Sequence, residues 1–271
     1  MWKDTSFIEK VLLKVYGIKA ASVKELSSGF NSVSYQIDDG FCNYSLRVSS
    51  ASTERIEKIL TDIRISQFLH DVLPTSWYVK SLQGNYFEVF EDCIIRLTFF
   101  LEGYPFDSKT QPLELALSVL KKIHSSKLPD FEHSENVFGG SVRTSAQNVL
   151  LHGDFIPSNL LMSHGKISGV LDFEHSFIGP LEYDLASFIS HFCMPYSKKE
   201  MELVIRQVVA DYGGIVRLGL LHQYLVHQLD KSINPIVSML FVSPEEKLLK
   251  KQHAFILKKK EEVLNLSLEF E

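Results

Sequence analysis

Three polar side chains interrupt a series of short apolar runs between residues 148 and 174. The segment reads N-V-L-L-H-G-D-F-I-P-S-N-L-L-M-S-H-G-K-I-S-G-V-L-D-F-E, and the three interrupting side chains are Asp154, Asn159 and Asp172. Gly153 and Pro157 break the first run into a loop, and His164-Gly165 marks the turn of a hairpin that follows. The sequence therefore predicts a strand, a loop and a hairpin in this order.

We expect this hairpin to bring an amide oxygen close to a carboxylate. Closure at His164-Gly165 places Asn159 beside Val170, with Asp172 just beyond it at the same open end. Directly opposed side chains in an antiparallel pair are about 5 Å apart. Mg²⁺ takes one or two such protein oxygens, with waters and substrate phosphates. Asn159 and Asp172 are thus candidate Mg²⁺ ligands, and Asp154 is left to accept a proton from a hydroxyl.

A proton acceptor, a metal and phosphates at one site describe phosphoryl transfer to an alcohol. The alternative is an ordinary buried hairpin whose Asp and Asn residues cap turns. The spaced set on the strand, loop and hairpin that it requires favours the catalytic interpretation.

The motif H-G-D-x-x-x-x-N, followed by D-x-E, resembles the catalytic segment of the aminoglycoside phosphotransferase and choline kinase superfamily. The resemblance implies an α+β, bilobal protein-kinase-like fold. Its N-terminal lobe is an antiparallel sheet plus a helix, and its C-terminal lobe is mostly helical. The implied site residues are Asp154 as catalytic base, Asn159 and Asp172 as Mg²⁺ ligands, and His152, Glu174 and Asp184 in supporting roles.

A segment near the N-terminus resembles the nucleotide-positioning loop of this family. Val23 to Leu26 is predicted to be a strand that leads into a loop beginning at Ser27-Ser28-Gly29. Serine hydroxyls and backbone amides can bind phosphate oxygens, and a glycine lets the backbone come close to a ligand. Ser27, Ser28 and Gly29 are therefore candidate phosphate contacts.

Arg47 lies in a predicted strand, where the family usually carries a Lys or Arg that reaches the nucleotide phosphates. The resemblance implies an acidic partner on the next helix, which is predicted from Thr53 to His70 by its apolar side and stops before Pro74. Asp62 is the expected partner of Arg47, and Glu57 is the alternative.

The predicted sheet ends in T-F-F-L-E-G, residues 98–103, which resembles the hinge between the two lobes. Backbone groups of Phe99, Phe100 and Leu101 are expected to hold the purine. The chain then divides into an N-terminal nucleotide-binding lobe, residues 1–101, and a C-terminal catalytic and acceptor-binding lobe, residues 104–271.

Helical periodicity dominates the second half of the chain. Apolar spacing predicts helices from Leu113 to His124, from Tyr183 to about Phe192 and over three later segments, the last from about Glu245 behind a capping box at Ser243. Asp184 is expected either to buttress the catalytic loop, as in the family, or to suit the helix dipole as an acid of the first turn.

Composition restricts the classes of function. The net charge of −5 argues against a nucleic acid as partner. No segment has the roughly 18 continuous apolar residues of a membrane helix, so we expect no membrane partner. The N-terminus lacks the apolar core of a signal peptide. Three cysteines without metal-like spacing suit free thiols in a reducing cytoplasm, where we expect the protein to be located.

The sequence thus predicts a kinase that moves the γ-phosphate of ATP to a hydroxyl of a small molecule, with Mg²⁺ as cofactor. GTP stays open as donor. The acceptor stays open among aminoglycosides, amino alcohols, sugars and nucleosides, and so does the oligomeric state. A kinase-shaped binding or scaffolding protein with weak or absent activity is the alternative. Phosphorylation of a protein ranks lower, because no activation-segment pattern follows Asp172.

Overall fold

The computed structural model describes residues 4–28, 32–127, 148–242 and 247–266. Within these ranges the chain forms seven α-helices and eleven β-strands. The helices are α1 Thr5–Val11, α2 Thr53–Leu69, α3 Leu113–Ser125, α4 Glu182–Phe192, α5 Lys198–Asp211, α6 Leu218–Val242 and α7 Lys247–Leu264. The strands are β1 Ser22–Ser28, β2 Ser32–Asp38, β3 Asn43–Ser50, β4 Tyr78–Val79, β5 Glu88–Phe90, β6 Cys93–Phe99, β7 Tyr104–Pro105, β8 Asn148–Leu151, β9 Leu160–Ser163, β10 Lys166–Val170 and β11 Phe177–Pro180.

The chain divides into two compact units. The described residues of the first unit run up to Pro105 and continue with Leu160–Ser176. Those of the second unit are 106–127, 148–159 and the residues from 177 onward. The division into lobes 1–101 and 104–271 stays a prediction, and the hairpin of 160–176 lies in the first unit. The hairpin groups with the first unit because Val170 pairs with Thr75 and donates its N–H to the carbonyl of Pro74.

The first unit is built on an antiparallel sheet in the order β1-β2-β3-β6-β4, with β5 also paired to β6. Side chains along β2 and β3 point alternately to the two faces of the sheet, so about one side chain in two is buried. Helix α1 and the π-helical turn after it cover one face of the sheet with apolar side chains such as Ile8 and Leu12. Helix α2 packs Ile59 and Ile63 against Tyr78 and Ile94.

Helix α2 begins where the sequence predicted, because Ser52 accepts a hydrogen bond from the N–H of Arg55 at 3.1 Å and caps the helix. Strand β1 is longer than predicted. Ser27 and Ser28 pair with Ser34 and Val33, so both belong to the strand and not to the loop.

The hairpin β9–β10 forms at the predicted turn, since His164 and Gly165 both have positive φ. Its register differs from the prediction. A bulge at Ser168 shifts the pairing by one residue, so Leu160 and not Asn159 lies beside Val170. The hydroxyl of Ser168 instead donates to the carbonyl of Glu102 at 2.7 Å. Asn159 ends a separate 3-10 turn before the strand.

The second unit combines the strand pair β8–β11 with helices α3 to α7. Helix α6 packs against both α4 and α7. Helix α5 carries a capping box, in which Ser197 and Glu200 exchange hydrogen bonds. The capping box predicted at Ser243 lies outside the described residues. Within the described chain, no helix is both long enough and apolar enough to span a membrane.

Candidate active site

The H-G-D loop follows β8 in the second unit and is held by one buried carboxylate. Asp184, in the first turn of α4, accepts hydrogen bonds from the backbone N–H groups of His152 at 2.7 Å and Gly153 at 2.9 Å. His124 of α3 places its Nε2 3.2 Å from the same carboxylate. A carboxylate that accepts two backbone N–H bonds fixes the path of the loop. Asp184 therefore joins the first turn of α4 to the backbone of this loop.

Phe155 anchors the loop on the other side of Asp154. Its ring is fully buried and stacks on Phe192 with a centroid distance of 5.4 Å. Its carbonyl accepts a hydrogen bond from the hydroxyl of Ser187 at 3.0 Å. Asp154 is therefore held between fixed neighbours, while its own side chain is only partly buried.

Asn159 interacts with Asp154. The side-chain nitrogen of Asn159 donates to the backbone carbonyl of Asp154 at 2.9 Å and lies 3.4 Å from its carboxylate. Because the amide nitrogen faces Asp154, the amide oxygen is the atom left to face a cation.

Six charged side chains of the first unit form a second constellation, named here the arginine–carboxylate cluster. Its members are Arg47, Arg55, Arg96, Asp62, Asp172 and Glu174. Arg47 and Arg96 lie directly opposite each other on β3 and β6. Like charges in this position repel, so the carboxylates are required to keep both arginines in the sheet.

Glu174 is the centre of the cluster. Arg55 binds both of its oxygens, at 2.7 and 3.0 Å, and Arg96 donates to one of them. Arg47 lies 3.6 Å from the same carboxylate. A two-point guanidinium–carboxylate pair of this kind is among the strongest polar contacts in proteins.

The predicted pair of Arg47 with Asp62 is wrong. Asp62 pairs instead with Arg96, at 3.0 Å, and also accepts a hydrogen bond from the hydroxyl of Tyr78 at 2.5 Å. Arg47 lies 3.3 Å from Asp172. The reason lies in the sheet, because β6 presents Arg96 to α2 and the short Asp62 side chain reaches this nearer cation.

Asp62 also holds the turn that contains Asp172. Asp172 has a left-handed backbone, with φ of 65°, which is unusual for a residue with a side chain. The next N–H, that of Phe173, donates to Asp62 at 3.0 Å. Unusual backbone of this kind persists where its surroundings fix it, and it concentrates at functional sites. Asp62 is one such restraint.

Burial and charge act against each other in this cluster. Burial raises the pKa of Asp62, and Arg96 only partly opposes this effect. Burial alone would lower the pKa of Arg96, but Tyr78 and the surrounding carboxylates raise it well above its usual value. Burial lowers the pKa of Arg55, against the attraction of Glu174. The opposite charges of the cluster therefore counteract the effect of burial on one another.

Part of the chain matches a known protein family. The model of the Phosphotransferase enzyme family matches residues 95–218, which include the H-G-D loop and the D-x-E turn. The matched stretch is 124 of the 271 residues of the chain. The resemblance inferred from the motifs is thereby confirmed.

Solved structures of this kind share the fold over nearly the whole chain. A spectinomycin phosphotransferase in complex with ADP and spectinomycin has a TM-score of 0.70 and 16% identity, covering 96% of this chain and 97% of its own. A thermostable aminoglycoside phosphotransferase with AMP-PNP and hygromycin B has a TM-score of 0.67 and 16% identity, covering 98% and 100%. The microcompartment-associated aminopropanol kinase has a TM-score of 0.65 and 14% identity, covering 95% of each chain. The predicted α+β, protein-kinase-like fold class is confirmed.

A curated relative is similar over a shorter stretch. The N-acetylmuramate/N-acetylglucosamine kinase of Neisseria meningitidis serogroup B is 39% identical over 59 residues, which are 21% of this chain and 17% of that protein. Taken together, the comparisons support a small-molecule phosphotransferase.

The positions predicted to contact the nucleotide lie in the first unit. Gly29 lies outside the described residues. The N–H groups of Phe99 and Phe100 already donate to the carbonyls of Trp77 and Asn43, both at 2.9 Å. Carbonyl groups and the backbone of Leu101 are therefore the better candidates for contact with a purine.

Sequence reasoning missed Arg55, Arg96 and Tyr78. A signal for Arg96 was present, because C-I-I-R-L-T-F is an apolar strand with one arginine inside it. An arginine in a buried strand requires a charged partner. Nothing comparable marks Arg55, which occupies an ordinary helix position.

The two predicted metal ligands can be compared with the chemistry that Mg²⁺ prefers. Within the described ranges, no group of three or more His, Cys, Asp or Glu side chains is arranged to hold a metal. Mg²⁺ takes one or two protein oxygens beside water and phosphates. The carboxylate of Asp172 and the amide oxygen of Asn159 are of the required type.

Proposed function

We propose that this protein transfers the γ-phosphate of ATP to a hydroxyl group of a small molecule. The observation that carries the proposal is the way in which the Asp154 side chain is held. Its loop is held by Asp184 and Phe155, and the nitrogen of Asn159 is directed at it. This arrangement fixes a partly exposed carboxylate without burying it, as a general base requires.

The chemical step follows from this assignment. Asp154 orients the acceptor hydroxyl and accepts its proton as the oxygen bonds to the γ-phosphorus. The bond from that phosphorus to the bridging oxygen of ADP breaks, ADP leaves, and the proton passes from Asp154 to solvent. Most of the acceleration is expected from positioning and charge neutralisation, because the transition state is loose.

Donor binding is assigned to groups of the expected chemistry. Asn159 and Asp172 would hold Mg²⁺, which when bound neutralises phosphate charge. Arg47, Ser27, Ser28 and Gly29 would contact the phosphates. The backbone from Phe99 to Leu101 would hold the purine. The similar structures solved with ADP or AMP-PNP support the use of a nucleotide.

Support for the acceptor class comes from what the similar proteins are named for. Spectinomycin, hygromycin B and aminopropanol all carry hydroxyl groups, and the curated relative is named as a kinase of amino sugars. The acceptor of this chain is accordingly proposed to be a small compound that carries at least one hydroxyl group.

The test combines nucleotide binding with turnover. Asp154→Asn should bind Mg–ATP as the original protein does, seen as an equal rise in Tm, while turnover falls by at least about 10²-fold. Asp71→Asn, an exposed site on the first unit, is the matched control. Near-normal turnover in Asp154→Asn would refute the role of Asp154.

A nucleotide-binding protein without transfer activity is the second candidate. It is favoured by the changed pairing, in which Asp62 engages Arg96 and Arg47 engages Asp172. In that case Mg–ATP would raise Tm in the original protein, but neither ATP hydrolysis nor transfer to an acceptor panel would follow.

A further inference from the structure

One face of α4 follows the catalytic loop. Asp184 contacts the loop at His152, and Ser187 contacts it at Phe155. His191 continues the same face, since residues three, four and seven positions apart share one side of a helix. It is fixed there by hydrogen-bond contacts with Ser187 and Ser190, at 2.9 and 3.1 Å.

Two opposite charges act on His191. Burial is the largest influence and lowers the pKa of this imidazole. The carboxylate of Asp154 opposes that shift and the ammonium of Lys231 adds to it. Geometry places the Lys231 ammonium beside the same helix, because its Nζ lies against Tyr183, the residue before Asp184, which holds the catalytic loop.

Lys231 lies against the aromatic ring of Tyr183. Its Nζ lies 3.3 Å from the hydroxyl of Tyr183 and 5.8 Å from the centre of that ring. Tyr183 in turn packs edge-on against Phe177 and Tyr224, at 5.1 and 5.4 Å. Lys231 is exposed, so its charge can meet a ligand.

The acidic side chains around it are already engaged. Glu182 binds Arg217 through both oxygens, at 2.9 Å each. Asp230 pairs with Lys260, and Asp184 is held by the loop amides. Among the described residues of α4 and α6, the charge left facing this region is thus the ammonium of Lys231. A cationic acceptor would require carboxylates here, whereas an acidic acceptor would meet a cation.

We propose that the acceptor is a hydroxyl compound bearing an acidic group, such as a sugar acid or hydroxy acid, and that Lys231 selects it. The acidic group would pair with Lys231, C–H groups would lie on Tyr183 and Tyr224, and the reacting hydroxyl would meet Asp154. The inference rests on the proposed phosphotransferase function. Lys231 is a specificity residue under this proposal and takes no part in the transfer itself.

Two matched acceptor series test the inference. The first is glucuronate, glucose and glucosamine, and the second is glycerate, glycerol and 3-amino-1,2-propanediol. ADP release gives kcat and KM, and Tm with Mg²⁺ and a non-hydrolysable ATP analogue reports binding. Within each series the acidic member should have the highest kcat/KM and the cationic member the lowest.

Lys231→Met keeps a side chain of similar length beside Tyr183 and removes the charge. It should lower kcat/KM for the acidic members about 5- to 10-fold, through KM, and leave the neutral members within about twofold. Lys231→Arg should restore most of the loss. Lys258→Met, which removes a lysine whose side chain is 74% exposed on α7, is the matched control and should change nothing.

The possible outcomes distinguish failure of this inference from failure of the proposed function. A preference for the cationic members, no use or binding of either acidic member, or a charge preference that survives Lys231→Met overturns the inference while leaving a phosphotransferase. If Mg–ATP neither raises Tm nor is hydrolysed, the proposed function itself fails and the inference fails with it.

Discussion

Removal of Arg96 tests the arginine–carboxylate cluster most directly. In Arg96→Met, Glu174 keeps its two-point contact with Arg55 and its approach to Arg47. Asp62 keeps only neutral donors, namely Tyr78, Ser66 and the N–H of Phe173. The cost should therefore come mainly from one uncompensated carboxylate, whose side chain is 7% exposed.

Breaking a buried ion pair on one side costs about 3–5 kcal/mol. Because Glu174 keeps its ion pair with Arg55, we expect the free energy of unfolding at pH 8 to fall by the lower value of this range, about 3 kcal/mol. For a chain of this size that corresponds to a fall in Tm of roughly 6–12 °C. Urea unfolding and Tm measurements give the two values independently. Lys10→Met, which breaks the exposed pair with Glu91, is the control and should cost at most about 1 kcal/mol.

The pH dependence identifies the group responsible. The folded-state pKa of Asp62 is already raised above its unfolded value, mainly by burial, and loss of Arg96 raises it further. Ionisation of Asp62 then opposes folding increasingly as pH rises above about 3.9, the unfolded value. The loss in Arg96→Met should accordingly be smaller at pH 5 than at pH 8. Adding Asp62→Asn should recover stability at pH 8. An equal loss at both pH values, or no recovery, would refute this reasoning.

Two further predictions concern the second unit and the thiols. Asp184→Asn puts an amide group against a backbone donor of the catalytic loop, so it should lower the free energy of unfolding in urea by about 1–3 kcal/mol. It should also lower turnover more than tenfold while Mg–ATP binding is retained. Asp211→Asn on α5 is the control, and unchanged turnover in Asp184→Asn would contradict the buttressing role. Cys42 is exposed, whereas burial raises the pKa of Cys93 and raises that of Cys193 to about 12. A thiol reagent at pH 8 should therefore react rapidly with one thiol in the native protein and with three in urea. The rapid phase should disappear in Cys42→Ser. Rapid reaction of a second thiol in the native protein would refute the assignment of the reactive thiol to Cys42.

Local signals explain what the sequence could predict. Helix α2 follows from the cap at Ser52 and an apolar side that continues to Leu69. The turn at His164-Gly165 follows from the preference of such dipeptides for positive φ. Each of these features depends on neighbours in the chain, which the sequence shows directly.

Features decided at a distance could not be predicted in the same way. The register of β9 and β10 changes at a bulge whose serine bonds to Glu102, far away in sequence. The family resemblance implies Arg47 as the partner of Asp62. The partner observed in the structure depends instead on which of the two opposed arginines, Arg47 or Arg96, lies against α2. The D-x-E turn was located correctly in the sequence, but its contacts with three arginines were not foreseen.

The changed pairing gives the three arginines different roles. Arg96 and Arg55 have side chains that are 5% and 19% exposed, and each makes close contacts of 3.0 Å or less with the carboxylates. Arg47 is 28% exposed and lies at 3.3 and 3.6 Å from Asp172 and Glu174. Charge interactions weaken with distance and with exposure to water. Arg47 is therefore the arginine that can turn toward an incoming anion at the least cost. Arg96 supplies the charge that Asp62 needs, and this is the condition that leaves Arg47 available.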